Sequence, residues 1–375
     1  MPMDMTTPTP MPTPTPTPMT TRDRTRRVHA GALAIGGGAE VSVQSMTKTD
    51  TRDTVATLAQ IARLREAGCQ LVRVAVPDAD CVPSLAAICE ASPLPVCADI
   101  HFDHRLALEA AAAGAAKIRI NPGNIGAPER VRAVADACRI RGIPIRVGVN
   151  GGSLPREILA RYGGRPTAEA LAEAALAQID MLRRFDFADI CVAVKASNAP
   201  LTVAACRLLA ERTDCPQHIG VTEAGRDLHG LVKSAVGIGA LLLDGIGDTL
   251  RVSLTADPTH EVRAGLSILE AAGLRRAGLT IISCPTCGRC RMDVAAVADE
   301  AERRLAHIQG PLTVAIMGCA VNGPGEARHA DLGVAGGDRE GLLFCRGEAV
   351  GKAPQGRLVE ELVRLVNSFH VENAR

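Results

Sequence analysis

Tryptophan is absent from this sequence of 375 residues, tyrosine occurs once, and aromatic residues make up only 2% of it. Stacking on nucleobases or sugar rings therefore has almost no material to work with, and aliphatic and alanine side chains must build the core. Neither sign of charge is in excess: the formal net charge of +1 gives no global basic field that would recruit nucleic acid or an anionic membrane. There is no uninterrupted apolar run of about eighteen residues, and the N-terminus lacks the basic and apolar regions of a secretory signal. A GxGxxG fingerprint after the first strand is missing, and GGGAE (36–40) carries no P-loop lysine, so a nucleotide fold is unsupported. The expectation is a soluble, cytoplasmic protein with no nucleic-acid or membrane partner, in which any anionic ligand is met by locally placed cations.

What the chain does have is enough apolar residue, 47%, to bury one or more large cores. Its thirteen cysteines are odd in number and dispersed, which points to reduced thiols rather than a disulfide framework. Cys69, Cys89, Cys138, Cys191 and Cys206 sit in apolar helix or strand patterns and read as small buried hydrophobes. Residues 1–27 are a Thr/Pro repeat ending in an arginine cluster; alternating proline removes backbone donors, so a disordered tail is expected there.

From about residue 40, short β-branched runs alternate with Ala/Leu-rich segments of helical period. The runs are VSVQSM (41–46), LVRVAV (71–76), PVCADI (95–100), AKIRIN (116–121), PIRVGVN (144–150), ICVAVKA (190–196), HIGVTEA (218–224) and TLRVSL (249–254). Eight such units predict an α/β fold, a (β/α)8 TIM barrel over 28–275, with a doubly wound open sheet as the rival. Polar residues favour the barrel, because they recur at the C-terminal strand ends: Gln44, Arg73, Asp99 with His101, Arg119 with Asn121, Arg146 with Asn150, Lys195, Glu223 and Ser253. A closed barrel gathers those ends at one mouth. Three arginines and a lysine there would repel one another without an anion. With Asn121, Asn150 and Ser253 as neutral donors, the set suits phosphate or diphosphate oxygens. Asp99, His101 and Glu223 could bind hydroxyls, move protons or pair with the cations.

A smaller α/β region is expected over 276–375. In it LTIISC (279–284) and LTVAIMGC (312–319) are strand-like runs that end in cysteine. Cys284-Pro-Thr-Cys287-Gly-Arg-Cys290 follows the first run, Cys319 ends the second, and AVNGPGEA (320–327) supplies a Gly/Pro loop with Glu326 seven residues beyond Cys319. A CxxC turn presents two thiolates to one metal, and a third cysteine on a neighbouring strand end extends the site. Zinc, a redox disulfide and an iron–sulfur cluster are all compatible with the CxxC alone, and spacing alone would nominate Cys290 as the third ligand.

VQSMTKTDT (43–51), ADIHFDHRLAL (98–108), RINPGNIG (119–126), RVGVNGGSL (146–154), GVTEAG (220–225), GIGDTLRVSLTADP (245–258), SCPTCGR (283–289) and GCAVNGPGEA (318–327) stand in the same order as in the two-domain bacterial 4-hydroxy-3-methylbut-2-enyl diphosphate synthases, and on these stretches the chain closely resembles that family. The resemblance implies reductive opening and dehydration of 2-C-methyl-D-erythritol 2,4-cyclodiphosphate in the methylerythritol phosphate route to isoprenoids. It implies electrons from flavodoxin or ferredoxin, a [4Fe–4S] cluster on Cys284, Cys287, Cys319 and Glu326, and Cys290 as a bystander. Diphosphate binding would fall to Arg73, Arg119, Asn121, Arg146, Asn150, Lys195 and Ser253, with Glu223 near the reacting carbons. The family also implies a homodimer in which one subunit's cluster domain closes over the partner's barrel. A non-catalytic iron–sulfur sensor and a zinc-stapled phosphate-binding barrel are the competing readings; the sensor leaves the cationic mouth unexplained.

Overall fold

A computed structural model of the chain describes residues 20–275, 278–308, 310–319 and 330–373. They fall into two compact units, one reaching to Leu274 and one beginning at Arg275.

The first unit opens with a β-hairpin, β1 (Val28–Ala30) and β2 (Leu33–Ile35). Eight parallel strands follow: β3 (Ser42–Met46), β4 (Leu71–Ala75), β5 (Val96–Asp99), β6 (Lys117–Ile120), β7 (Ile145–Asn150), β8 (Ile190–Lys195), β9 (His218–Ile219) and β10 (Thr249–Leu250). Their order is β8-β7-β6-β5-β4-β3-β10-β9. A bridge between Val192 and Gln217 brings the two ends of the sheet together, so the barrel expected from the eight runs is nearly closed and the open-sheet rival is excluded. β9 and β10 are far shorter than HIGVTEA and TLRVSL suggest. Beyond Ile219 the chain leaves the ladder, and Glu223 takes a left-handed φ of 51°, which extended pairing cannot accommodate.

Polar caps stop the loops at the mouth and start the helices. Asp53 accepts from Ala56 N, Thr167 from Ala170 N, Asn198 from Leu201 N and Asp257 from Thr259 N. The helices then turn an aliphatic face to the barrel: Leu171, Ala175, Ile179 and Leu182 of the helix Ala168–Arg183 are all fully buried. At the opposite end, Val28, Ala30 and Ile35 of the hairpin pack on Leu71, Cys97 and Cys191 and plug the barrel's floor.

Residues 20–27, expected to belong to the disordered tail, are ordered. Thr21–Arg24 form a short 3-10 turn. Arg22 N donates to Gly245 O at 3.0 Å, Arg26 N to Asp214 O at 2.7 Å, and the Thr25 hydroxyl to Asp248 at 2.9 Å. The arginines resemble a solvated run in sequence, but the backbone between them finds acceptors in loops at the barrel floor. Residues 1–19 lie outside the described residues.

The second unit is a five-stranded mixed sheet of β11 (Leu279–Ser283), β12 (Leu312–Met317), β13 (Leu332–Ala335), β14 (Glu340–Cys345) and β15 (Glu348–Pro354), in that order. β11 to β13 are parallel, and β14 and β15 return antiparallel. The helices Val294–Leu305 and Leu358–Asn373 bury Ala301, Leu305, Leu362 and Val366 against Val314, Ile316, Leu332 and Val334. This is the smaller α/β region read from the sequence.

Candidate active site

Side chains alternate across a strand, and the parallel register lines up one inward row from strand to strand. Asp99 stands opposite Arg119, Arg119 opposite Arg146, and Asn150 opposite Lys195. The cations expected at separate strand ends are therefore brought together on the inner wall.

Asp99 is their principal counter-charge. Its Oδ1 accepts from Arg119 Nη1 at 2.9 Å, and its Oδ2 lies 3.7 Å from Arg73 Nε and 3.4 Å from His101 Nε2. Burial alone would raise this carboxyl, but Arg73, the His101 contact and Arg119 together hold it well below the usual carboxylate range. Asp99 thus serves the arginines, and the exposed His101 joins the same network, 3.1 Å from Arg119 Nη1.

One carboxylate does not satisfy this set. Arg146, 2% exposed, has Gln44 Oε1 at 2.7 Å, yet its Nε has no partner, and Arg119 Nε and Gln44 Nε2 are also buried without one. Arg73 spends Nε and Nη2 on the Met46 thioether, at 3.0 and 2.8 Å, a weak acceptor. Burial pushes the Arg73 guanidinium down to about 9, against the pull of Asp99, and lowers Arg146 too. Arginine does not deprotonate near neutral pH, so these shifts express how poorly the protein itself solvates the charges. Lys195 is held well below its ordinary range by burial, then by Arg146, Arg251 and Arg73.

Two glycines make the room. A Cβ on Gly148 would lie 2.9 Å from Arg119 Nε, and one on Gly220 would lie 2.9 Å from Lys195 Nζ. Asn121 caps the short helix Pro122–Ile125; its Oδ1 accepts from Gly123 N and from Gln178 Nε2, so its NH2 is the group left for a ligand. Asn150 and Ser253 are half-buried at the end of β7 and in the loop after β10, and Glu223 is exposed on the loop after β9.

Strand-end reasoning missed Arg251, Lys48 and Glu261. Arg251 Nε and Nη2 donate to Glu261 at 3.3 and 3.2 Å, and Lys48 Nζ lies 3.3 Å from the same carboxylate. The signal for Arg251 was available: it lies two residues before Ser253, on the same face of the run.

In the second unit, Ser283 pairs with Ile316, which sets Cys284 and Cys319 at the ends of adjacent parallel strands. Cys287 is exposed, Cys284 half-buried and Cys319 buried, and none of the thirteen cysteines is in a disulfide. The Cys290 thiol donates to Met292 O at 3.0 Å, and its side chain packs against the unit's core. Among the described residues no three cysteine, histidine or carboxylate side chains are gathered closely enough to hold a metal. Glu326 lies outside the described residues. Three thiols on two neighbouring strand ends and one turn remain a donor set whose chemistry and topology fit a cluster.

Fold and mouth together define a (β/α)8-barrel protein with a cluster of under-satisfied cations at the C-terminal ends of its strands, the face on which barrel enzymes carry their active sites. A family model described as the GcpE TIM-barrel domain matches residues 25–266, and one described as the GcpE protein C-terminal domain matches residues 280–368. A 4-hydroxy-3-methylbut-2-en-1-yl diphosphate synthase (flavodoxin) of Geobacter sulfurreducens is 54% identical, covering 91% of this chain and 97% of its own. Those of Caldanaerobacter subterraneus and Clostridium perfringens are 52% and 49% identical, covering 89% and 90% of this chain and 94% and 97% of their own. The chain belongs to the 4-hydroxy-3-methylbut-2-en-1-yl diphosphate synthase family.

Proposed function

We propose that the chain reductively opens 2-C-methyl-D-erythritol 2,4-cyclodiphosphate in the methylerythritol phosphate route, with flavodoxin as electron donor. Two electrons and protons break the ring C–O bond and release one hydroxyl as water, leaving (E)-4-hydroxy-3-methylbut-2-enyl diphosphate. The observation that carries this reading is the cationic inner wall, with Arg119 Nε and Arg146 Nε buried and unsatisfied. A diphosphate supplies the acceptors that the protein withholds.

Arg73, Arg119, Arg146 and Lys195 neutralise the diphosphate, while the Asn121 amide, Asn150 and Ser253 fix its orientation. Asp99 and His101 hold the arginines in place, and Glu223, in its left-handed backbone conformation, faces the reacting carbons as a proton-holding group. Residues 28–275 form the substrate domain and 276–375 the cluster domain. Cys284, Cys287 and Cys319 would hold a [4Fe–4S] cluster with Glu326, and that cluster, when bound, would supply single electrons and, at the iron held by Glu326, an exchangeable Lewis-acid site. Its thiolates require a reducing compartment, which supports the cytoplasm. No helix among the described residues is long and apolar enough to cross a membrane.

A homodimer is supported by the helix Asp227–Leu243. Leu228, Val232, Val236 and Leu243 form an exposed apolar stripe along it, each at least half accessible, and a two-fold contact can use one such stripe twice. Val232→Asp is expected to convert a dimer to a monomer in sedimentation; a wild-type monomer at micromolar concentration would exclude the dimer.

The direct test is anaerobic turnover of the cyclic diphosphate with reduced flavodoxin, followed by product identification. The allylic diphosphate is expected. A cluster-loaded protein that leaves the substrate intact would overturn the activity, and a colourless, zinc-loaded protein would replace the cluster reading.

A further inference from the structure

We propose that Glu261 is a positioning residue for the diphosphate site, acting through Arg251 and through the loop that carries Ser253. The inference rests on reading the mouth as a diphosphate site. Glu261 lies in the first turn of the helix Pro258–Ala271 and is 1% exposed. Its two oxygens divide the work. Oε2 accepts from Arg251 Nε and Nη2 at 3.3 and 3.2 Å and from the Ser45 hydroxyl at 3.4 Å. Oε1 accepts from Leu254 N at 3.2 Å and lies 3.3 Å from Lys48 Nζ. Lys48 in turn donates to Leu254 O at 3.1 Å and to Ala256 O, and its own N donates to Gln60 Oε1 at 2.6 Å. The segment 251–256 is thus pinned from both sides by one buried carboxylate and its lysine. The VQSMTKTDT stretch, whose Lys48 has no role at the strand ends, gains one here.

Burying a carboxylate is costly unless its charge is met and used. The Glu261 site meets it with two cations and fixes a planar guanidinium by two of its nitrogens, leaving Arg251 Nη1, among the described residues, with only the Met46 thioether at 3.7 Å. That nitrogen is the one available to an anion. A simpler role would be neutralisation of excess positive charge, and the two roles predict opposite signs. Removing a negative charge near an anion site strengthens binding by Coulomb attraction, whereas losing the orientation of Arg251 and of the Ser253 loop weakens it.

The test is calorimetric binding of inorganic pyrophosphate to the full chain at fixed ionic strength, for wild type, Glu261→Gln, Arg251→Met and the double variant. Glu261→Gln is expected to bind about tenfold more weakly, the scale of one charge-assisted hydrogen bond. The losses should be less than additive: in the Arg251→Met background Glu261→Gln should cost only the severalfold share carried by the loop of Ser253, because its arm through Arg251 is already gone. Equal or tighter binding by Glu261→Gln, or additive losses, would overturn the proposal. If Glu261→Gln does not fold, Lys48→Met keeps the Glu261–Arg251 pair and reads the loop arm alone. A severalfold weakening is expected there, and unchanged binding counts against the proposal. A wild-type chain that does not bind pyrophosphate removes the diphosphate reading itself and the proposal with it.

Discussion

Cys319→Ser is expected to strip the iron from the protein and reduce turnover to background, while Cys290→Ser keeps both the iron and the activity. The contrast is sharp because CxxCxxC spacing ranks the two cysteines the other way round. Cys290 is committed locally: its backbone N donates to Cys287 O at 2.9 Å, its thiol donates to Met292 O at 3.0 Å, and its side chain packs against the core of the second unit. Recruiting it to a metal would break that hydrogen bond and unpack it, a cost of about 1–3 kcal/mol. Cys319 lies just beyond β12, the strand that runs parallel and adjacent to the one Cys284 follows. Iron and acid-labile sulfide per chain, measured anaerobically, separate the cases without recourse to activity. Equal iron loss in the two variants would refute the assignment. Because metal binding and local folding are linked, Cys319→Ser should also lower the melting temperature of the second unit and leave that of the barrel unchanged.

The barrel was legible because its signals are local. Period-2 runs and capped helical segments each announce themselves within about ten residues, and the register then fixes which strand ends meet. The mouth cations were legible for the same reason: a charge at a strand's C-terminal end points to one place only in a closed barrel. Other features depend on contacts between distant segments and leave no local trace. Glu261 looks like an ordinary acidic residue in a helix's first turn, and only the fold shows that it is buried among Ser45, Lys48 and Arg251. The order of residues 20–27 rests on acceptors more than 180 residues away, such as Gly245 and Asp248. The brevity of β9 follows from the backbone turn at Glu223, which the β-branched composition of that run does not encode.

Lys195→Met is expected to weaken diphosphate binding by about a hundredfold or more and, in the same protein, to raise the melting temperature of the ligand-free barrel. The two effects have one cause. Lys195 has no hydrogen-bond partner among the described residues, and Gly220 leaves space beside its Nζ. Burial and then Arg146, Arg251 and Arg73 hold its ammonium well below the ordinary lysine range. A lysine whose folded pKa is depressed releases its proton on folding, so stability rises with pH between the depressed value and the unfolded one. At neutral pH the ligand-free protein bears that cost, and methionine removes it without orphaning a partner. Binding reverses the balance. Diphosphate oxygens favour the charged lysine, so the wild type takes up a proton on binding wherever the pH exceeds the ligand-free pKa, and affinity falls as pH rises through that window. Truncating one member of a desolvated ion pair costs about 2–5 kcal/mol, the origin of the expected loss. Calorimetry in two buffers of different ionisation enthalpy, repeated over a pH series, should show proton uptake that grows with pH in the wild type and no such growth in Lys195→Met. A variant that binds pyrophosphate as tightly as the wild type, or that melts well below it, would show that Lys195 supports the fold and not the ligand. Stability gained where affinity is lost is the signature of a site whose charges are kept for a partner outside the protein.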